Sequence, residues 1–518
     1  MQLPEFRNEK PSDFKGNPEH AHRMREALDQ VSRELGREYD LVIGGRRIKT
    51  AEKLVSYNPA NPEQVIGTVS KGDATLADQA IRTAEEAFRT WSHVPAERRV
   101  ELVLRTGQIL RERKFYFSAW MVYEVGKTWP EADADTAEAI DFCEYYSREM
   151  LRLAPPQPLV PVPGERNYLR YLPLGVGVVI PPWNFPLAIL TGMTIASIVT
   201  GNTVVMKPSS DSPVIAYKFF EVLEEAGVPQ GVVNYFPCPG VSVGDVLVEH
   251  PRTRYIAFTG SKEVGLRINE RAARVPPGQV WVKRVIAEMG GKDSIVVDSA
   301  SDLEAAVEGV VVSAFGYQGQ KCSACSRAIV VEDVYTAFLT KLKERVEQIT
   351  VGSPVDPSSD MGPVINPRAK KTILDYVNIG KQEGRLLTGG SALPGPGNFI
   401  QPTVLIDVPP KARIAQEEIF GPVLAVIKAR NFDEALEIAN NTEYGLTGAV
   451  YTRDRRKLDR AAEEFFVGNL YLNRKCTGAL VGAHPFGGFN MSGTDSKAGG
   501  HDYLLLFTQA KTIAEKVA

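Results

Sequence analysis

From Gly175 onward the chain repeats one pattern: a short, almost wholly apolar run, a helical segment, then another run. Gly175-Val-Gly-Val-Val-Ile, Thr203-Val-Val-Met, Val232-Val-Asn-Tyr-Phe and Tyr255-Ile-Ala-Phe come first. Strands with one wet face alternate apolar and polar residues. Runs like these bury both faces, and the helical segments between them predict a parallel α/β sheet. A second series begins at Ser294-Ile-Val-Val-Asp and continues through Ala328-Ile-Val-Val, Ala425-Val-Ile and Gly448-Ala-Val-Tyr. The expected fold class is therefore α/β, with two α/β units meeting at a cleft. A chain of 518 residues is long enough for two or three cores.

Before Gly175 helical spacing dominates. Helices are predicted over Glu19–Leu35, Ala74–Trp91, Pro95–Lys114, Phe115–Val125 and Pro130–Leu153, with short strands between Tyr39 and Val69. Ala154 to Pro163 then holds five prolines in ten residues, which no helix survives, so a linker or extended arm is expected there.

The net charge of -3 gives no electrostatic reason to bind nucleic acid or an anionic membrane. Apolar stretches break well short of the ~18–20 residues of a spanning helix. The first ten residues lack the apolar core of a secretory signal. Five scattered cysteines fit a reduced compartment, and a cytoplasmic protein is expected.

Four stretches can carry chemistry. Tyr317-Gln-Gly-Gln-Lys-Cys322-Ser-Ala-Cys325 places a cysteine among small residues on a glycine-bearing turn, where a carbonyl carbon could approach. A thiolate attacks far better than a thiol, so its surroundings must favour ionisation or supply a base. The same spacing also suits a redox pair or half a zinc site. No second Cys-x-x-Cys or histidine cluster accompanies it, so no metal is expected.

Val285-Ile-Ala-Glu288-Met-Gly-Gly-Lys ends an apolar strand on a carboxylate, where burial would raise its pKa toward that of a usable base. An ordinary strand-end surface glutamate reads the same way. Val179-Ile-Pro-Pro-Trp183-Asn184-Phe185-Pro is a stiff loop whose Asn184 amide could meet an oxyanion, or simply form a turn. Gly175-Val-Gly-Val-Val-Ile lacks the third glycine of the dinucleotide fingerprint. Phe258-Thr-Gly260-Ser261-Lys-Glu-Val-Gly265 follows a strand, opens a helix and could offer N–H groups to a pyrophosphate. Val205-Met-Lys207-Pro-Ser-Ser210 places a cation and hydroxyls where an adenosine ribose could lie.

In this order, and with Gln416-Glu-Glu418-Ile-Phe420-Gly-Pro-Val, Asn440-Asn-Thr-Glu-Tyr-Gly-Leu-Thr and His484-Pro-Phe-Gly-Gly-Phe-Asn-Met-Ser-Gly, these stretches resemble the aldehyde dehydrogenase superfamily. The resemblance implies a dinucleotide-binding domain of residues 1–150 and 174–286 and a catalytic domain of 287–489. It also implies a β oligomerisation arm of residues 151–173 and 490–518, and hence a homo-oligomer, at least a dimer. By the same resemblance Cys322 is the nucleophile and Glu288 the base for the deacylating water, while Asn184 and the Cys322 N–H form the oxyanion hole. NAD, or NADP, would be held by Ile180, Pro182, Trp183, Lys207, Ser210, Gly240, Gly260, Ser261, Gly265, Glu418 and Phe420. Members selective for NAD often carry a glutamate where Ser210 stands, so the serine leaves room for a 2′-phosphate.

Within the superfamily, Gly-Gln320-Lys-Cys-Ser-Ala-Cys-Ser-Arg and Gly478-Ala479-Leu-Val-Gly resemble the 1-pyrroline-5-carboxylate dehydrogenases. These oxidise L-glutamate γ-semialdehyde to L-glutamate in proline degradation. Ser323, Gly478 and Ala479 would then meet the α-carboxylate. Glu138 could face the α-ammonium, or be a solvated helix-face residue. Phe185 and Phe489 could wall the aliphatic middle, or belong to the core. An enzyme for another semialdehyde, or a CoA-acylating relative, is the alternative.

Overall fold

The computed structural model describes residues 3–517. It contains two seven-stranded sheets. Across the first, the order is Arg284–Glu288, Thr253–Thr259, Val176–Ile180, Thr203–Met206, Val233–Tyr235, Leu41–Ile43 and Arg46–Ile48. The first five strands pair in parallel, and the last two join antiparallel. Every residue of Val176–Ile180 and Thr203–Met206 is buried, as expected for central strands covered on both faces.

The second sheet runs Arg385–Thr388, Thr403–Ile406, Val423–Ala429, Arg327–Val331, Ser294–Val297, Thr447–Tyr451 and Asn469–Leu472. All of its pairings are parallel except that of the edge strand Arg385–Thr388. All four runs of the second apolar series are strands, so both α/β units are present.

The helices follow the periodic segments closely. Ala74–Trp91 starts at Asp73, whose carboxylate accepts from Leu76 N–H at 2.8 Å. Ala96–Glu112, Lys114–Val125 and Trp129–Leu153 follow. The first helix, Pro18–Ser32, stops short of the expected Leu35, because Gly36 takes a positive φ of 79° and turns the chain into a strand.

The proline-rich segment is an extended edge. Gln157–Pro158 and Thr508–Lys516 flank Glu165–Pro173 in an antiparallel three-stranded sheet. Only Thr508–Lys516 of the C-terminal stretch joins it. Residues 490–507 return across the first unit instead: Met289 N–H donates to Ser492 O at 2.8 Å, and Tyr503 and Phe507 pack beside Tyr146 and Tyr255. No helix among the described residues is long and apolar enough to cross a membrane.

Candidate active site

Cys322 lies on the turn after the helix Leu303–Phe315. Tyr317 and Gln318 both take left-handed backbone angles, with φ of 49° and 58°, which non-glycine residues adopt at a cost. Their side chains show what holds them there. Tyr317 Oη donates to Val125 O at 2.9 Å. Gln318 Nε2 donates to Gly126 O and Pro363 O, and its Oε1 accepts from Gly362 N–H. A Cβ on Gly319 would stand 2.2 Å from Gly421 O, so only glycine lets the loop pass that backbone. Gln320 is fixed at both ends: its Oε1 accepts from Ile365 N–H, and its carbonyl accepts from Asn184 Nδ2 at 2.9 Å.

That last bond places Asn184, a buried residue just past the strand Val176–Ile180, against the loop that carries Cys322. Glu288 ends the edge strand Arg284–Glu288 of the same sheet and is also buried. Burial pushes its carboxyl up to about 8, against the pull of a Ser496 hydroxyl bond and of the Lys497 ammonium. The thiol of Cys322 is half-buried. Burial raises its pKa well above the usual thiol range, and the carboxylates of Asp293, Glu418 and Glu288 push the same way. The Ser323 N–H pulls the other way but does not offset them, so a base must take the thiol's proton.

Cys325 faces away. Its Sγ donates to Arg327 O at 3.4 Å, and it packs in the core behind the loop with Cys476, whose Sγ donates to Ser323 O at 3.4 Å. The dithiol reading of Cys322 and Cys325 has no support in this arrangement, and all five cysteines are free.

The cofactor candidates gather along the carboxyl edge of the first sheet. Ser261 caps the helix Lys262–Ala272. Gly265 sits on that helix where a Cβ would meet Met289 Sδ at 2.4 Å. Lys207 is buried, and among the described residues its ammonium reaches only Pro208 O, at 3.3 Å. Gly244, in the turn that begins at Gly240, packs against the same side chain. Ser210 is exposed nearby, and Ile180 and Pro182 are buried at the strand end. Glu418 lies over Gly290 and accepts from Gly291 N–H at 3.2 Å. Its carboxyl is pushed up to about 7 by burial. Trp183 meets Phe420 edge to face at 5.5 Å, which brings the two units together. An under-bonded buried ammonium, a half-buried carboxylate and a capped helix start on one edge suit the hydroxyls and phosphates of a dinucleotide.

The substrate candidates divide into groups. Phe185 packs edge to face on Tyr317 at 6.5 Å. Ser323 is buried directly after Cys322. Gly478 takes a φ of 74°, and a Cβ there would stand 3.4 Å from Lys475 Nζ; Ala479 follows on the same loop. Glu138 is half-buried on the helix Trp129–Leu153, its carboxyl pushed up to about 8 by burial and by Asp135. The Phe489 ring lies against Phe466, with centres 4.9 Å apart.

Several supporting residues carried no motif. Lys127 and Asp135 form a fully buried ion pair at 2.6 Å. The Lys127 ammonium lies 3.9 Å from the Phe185 ring centre, and Asp135 also accepts from Ala188 N–H at 2.6 Å. Lys321 pairs with Glu131 at 2.8 Å. Ser496 binds Glu288 from the distant C-terminal stretch. Partners this far apart in sequence leave no spacing to read.

The aldehyde dehydrogenase family profile matches residues 47–513. A protein named 1-pyrroline-5-carboxylate dehydrogenase from Geobacillus kaustophilus is 63% identical over 489 residues, covering 94% of this chain and 95% of its own. A crystal structure of 1-pyrroline-5-carboxylate dehydrogenase from Thermus with bound NAD superposes with a TM-score of 0.98 at 53% identity, covering 100% of both chains. Betaine aldehyde dehydrogenase from Staphylococcus aureus, in complex with NAD+, superposes at 0.87 and 31% identity over 92% of this chain and 97% of its own. A cysteine on a strained turn, an amide bonded to that turn and a buried carboxylate on the facing strand are thus set in a fold shared along the whole chain, which belongs to the aldehyde dehydrogenase family.

Proposed function

We propose that this chain oxidises L-glutamate γ-semialdehyde, the open form of 1-pyrroline-5-carboxylate, to L-glutamate with NAD. The observation that carries the reading is that Asn184 bonds the loop of Cys322 and the Glu288 carboxyl lies near enough to act on the Cys322 thiol, in a chain 63% identical to a 1-pyrroline-5-carboxylate dehydrogenase.

Cys322 loses its proton to a base and its sulfur bonds to the aldehyde carbon. The resulting oxyanion is held by Asn184 Nδ2 and the Cys322 N–H. Lys207, Gly260, Ser261 and Glu418 would hold the dinucleotide, and when bound the nicotinamide accepts the hydride that turns the thiohemiacetal into a thioester. Glu288 then draws a proton from water, whose oxygen attacks the thioester carbon; the C–S bond breaks with its electron pair on Cys322 sulfur, the carboxylic acid departs, and Glu288 returns its proton to the thiolate. A CoA-acylating relative must exclude that water. A buried carboxyl poised near neutrality argues for hydrolysis instead.

Ser323, Gly478 and Ala479 are assigned to the α-carboxylate, Glu138 to the ammonium, and Phe185 and Phe489 to the chain between. Ser210, which leaves room for a 2′-phosphate, makes NADP a second coenzyme. Residues 1–150 and 174–286, with 490–507 packed against them, form the dinucleotide unit, 287–489 the catalytic unit, and 151–173 with 508–516 the arm. Val160, 83% exposed beside the arm's strands, gives that edge an apolar surface for a second copy, at least a dimer. Five free thiols fit the cytoplasm.

The test is steady-state turnover of glutamate semialdehyde with NAD and NADP, alongside pre-steady-state turnover of Glu288→Gln. That variant should release one equivalent of reduced coenzyme and stall as acyl-enzyme visible by intact mass. Full turnover with no adduct removes Glu288 from hydrolysis.

A further inference from the structure

Glu288 is held from outside its own sheet. Ser496 Oγ donates to Glu288 Oε1 at 2.6 Å, and Ser496 N–H reaches the same oxygen at 3.4 Å. Both residues are buried. The second carboxyl oxygen, Oε2, is buried and has no hydrogen-bond partner among the described residues. Two glycines shape the space around the group: a Cβ on Gly487 would stand 3.1 Å from Oε1, and one on Gly493 3.4 Å from Oε2. Gly493 also bridges to Glu288 through the backbone, so the loop bearing Ser496 is seated on the strand that ends in the carboxyl. One oxygen is tethered and the other is left open, although an unmatched buried acceptor costs free energy.

We propose that Ser496 is the positioning residue of the deacylation base, holding Glu288 by Oε1 so that Oε2 stays free to take the proton of the attacking water. The inference rests on the reading of Glu288 as that base. A hydroxyl suits the task because Oε1 accepts its hydrogen bond both when the carboxyl is ionised and when it is protonated at Oε2, so the contact persists through the whole proton cycle. In that cycle the water oxygen bonds to the thioester carbon and its proton passes to Oε2. The C–S bond breaks with its electron pair going to Cys322 sulfur.

The charges around Glu288 do not replace this contact. Lys497 favours the ionised form, but its ammonium donates to Gly468 O and Gly487 O at 2.8 Å and pairs with Asp495 at 3.0 Å. Asp495 opposes ionisation of Glu288, and Cys322 and Tyr503 are the other titratable groups facing it. After burial itself, the Ser496 hydroxyl bond acts most strongly on the carboxyl.

The experiment compares Ser496→Ala, Ser496→Thr and Glu288→Gln in the full-length enzyme with NAD. Ser496→Ala should keep the burst of reduced coenzyme, lose roughly tenfold or more in deacylation at neutral pH, and move the midpoint of its pH profile upward by about one unit. Ser496→Thr should restore both. If Ser496→Ala deacylates at the wild-type rate with an unmoved midpoint while Glu288→Gln still traps acyl-enzyme, the positioning role is overturned. An equal loss in burst and deacylation, with no rescue by threonine, also overturns it, in favour of a structural role. If Glu288→Gln turns over without a trapped adduct, the underlying reading of the base fails, and this inference with it.

Discussion

Asn184 Nδ2 donates to the carbonyl of Gln320, two residues before the nucleophile, at 2.9 Å. One amide hydrogen therefore ties Asn184 to the loop that carries Cys322, and under the proposed function the second is left for a developing charge. The donor needs no reorganisation when charge appears, which is what makes such groups effective.

Asn184→Ala should then fail in two ways. Loss of one oxyanion donor costs about 3 kcal/mol of transition-state stabilisation, so kcat should fall by roughly two to three orders of magnitude. Loss of the Gln320 bond should also lower stability by about 1 kcal/mol. Stopped-flow coenzyme reduction and denaturant unfolding check the two separately. A kcat within a few-fold of wild type removes Asn184 from the oxyanion hole.

The cysteines should separate cleanly. Cys322→Ala is expected to abolish aldehyde oxidation, because the other four thiols are fully buried. Cys325→Ala should leave most activity, since that thiol faces Cys476 and Arg327 O. Comparable losses in the two variants, or a need for added reductant in each cycle, would restore the dithiol reading.

The order of strands and helices and the two-unit architecture were legible because apolar runs buried on both faces are unmistakable over a long chain. The nucleophile turn was legible as a motif, but not the reason it holds: Tyr317 and Gln318 look like ordinary residues until their left-handed angles and distant hydrogen bonds are seen. The expected arm reached back to residue 490 because an apolar tail after a motif offers no sign of where it leaves the core. Ser496 and the Lys127–Asp135 pair were invisible for a related reason, that burial and pairing belong to the fold rather than to local spacing.

Breaking the Lys127–Asp135 pair should be costly. With both side chains fully buried, Lys127→Met strands a carboxylate, at about 3–5 kcal/mol. Lys127→Met with Asp135→Asn should recover part of this, since the amide can still accept from Ala188 N–H. Urea unfolding of the single and double variants gives the coupling. Additive losses would mean the pair is not the interaction that matters.

Hydrolysis should have an alkaline signature. A base works only when deprotonated, and burial lifts Glu288 to about 8. Its active form therefore grows as pH rises through about 8, not through the usual carboxylate range. Where deacylation limits the rate, kcat should climb across that window and flatten above it. A kcat already level from pH 6 upward would mean that Glu288 is ionised near neutrality and that its burial is relieved in the working enzyme.

The substrate's carboxylate gives the sharpest discrimination. Ser323 adjoins the nucleophile, and Gly478 brings backbone beside the Lys475 ammonium without a side chain between them. Hydrogen bonds to a desolvated carboxylate are worth roughly 1.5–3 kcal/mol each, so two should favour glutamate semialdehyde over pentanal by about a hundredfold or more in kcat/KM. Ser323→Ala should cut turnover of the semialdehyde while leaving pentanal nearly untouched, because only the former loses a partner. The same comparison with glutarate semialdehyde, which keeps the chain length and the carboxylate and lacks the amine, separates the carboxylate's contribution from that of Glu138. Equal efficiency on all three aldehydes in the wild type would leave the family assignment standing and remove the carboxylate site from it.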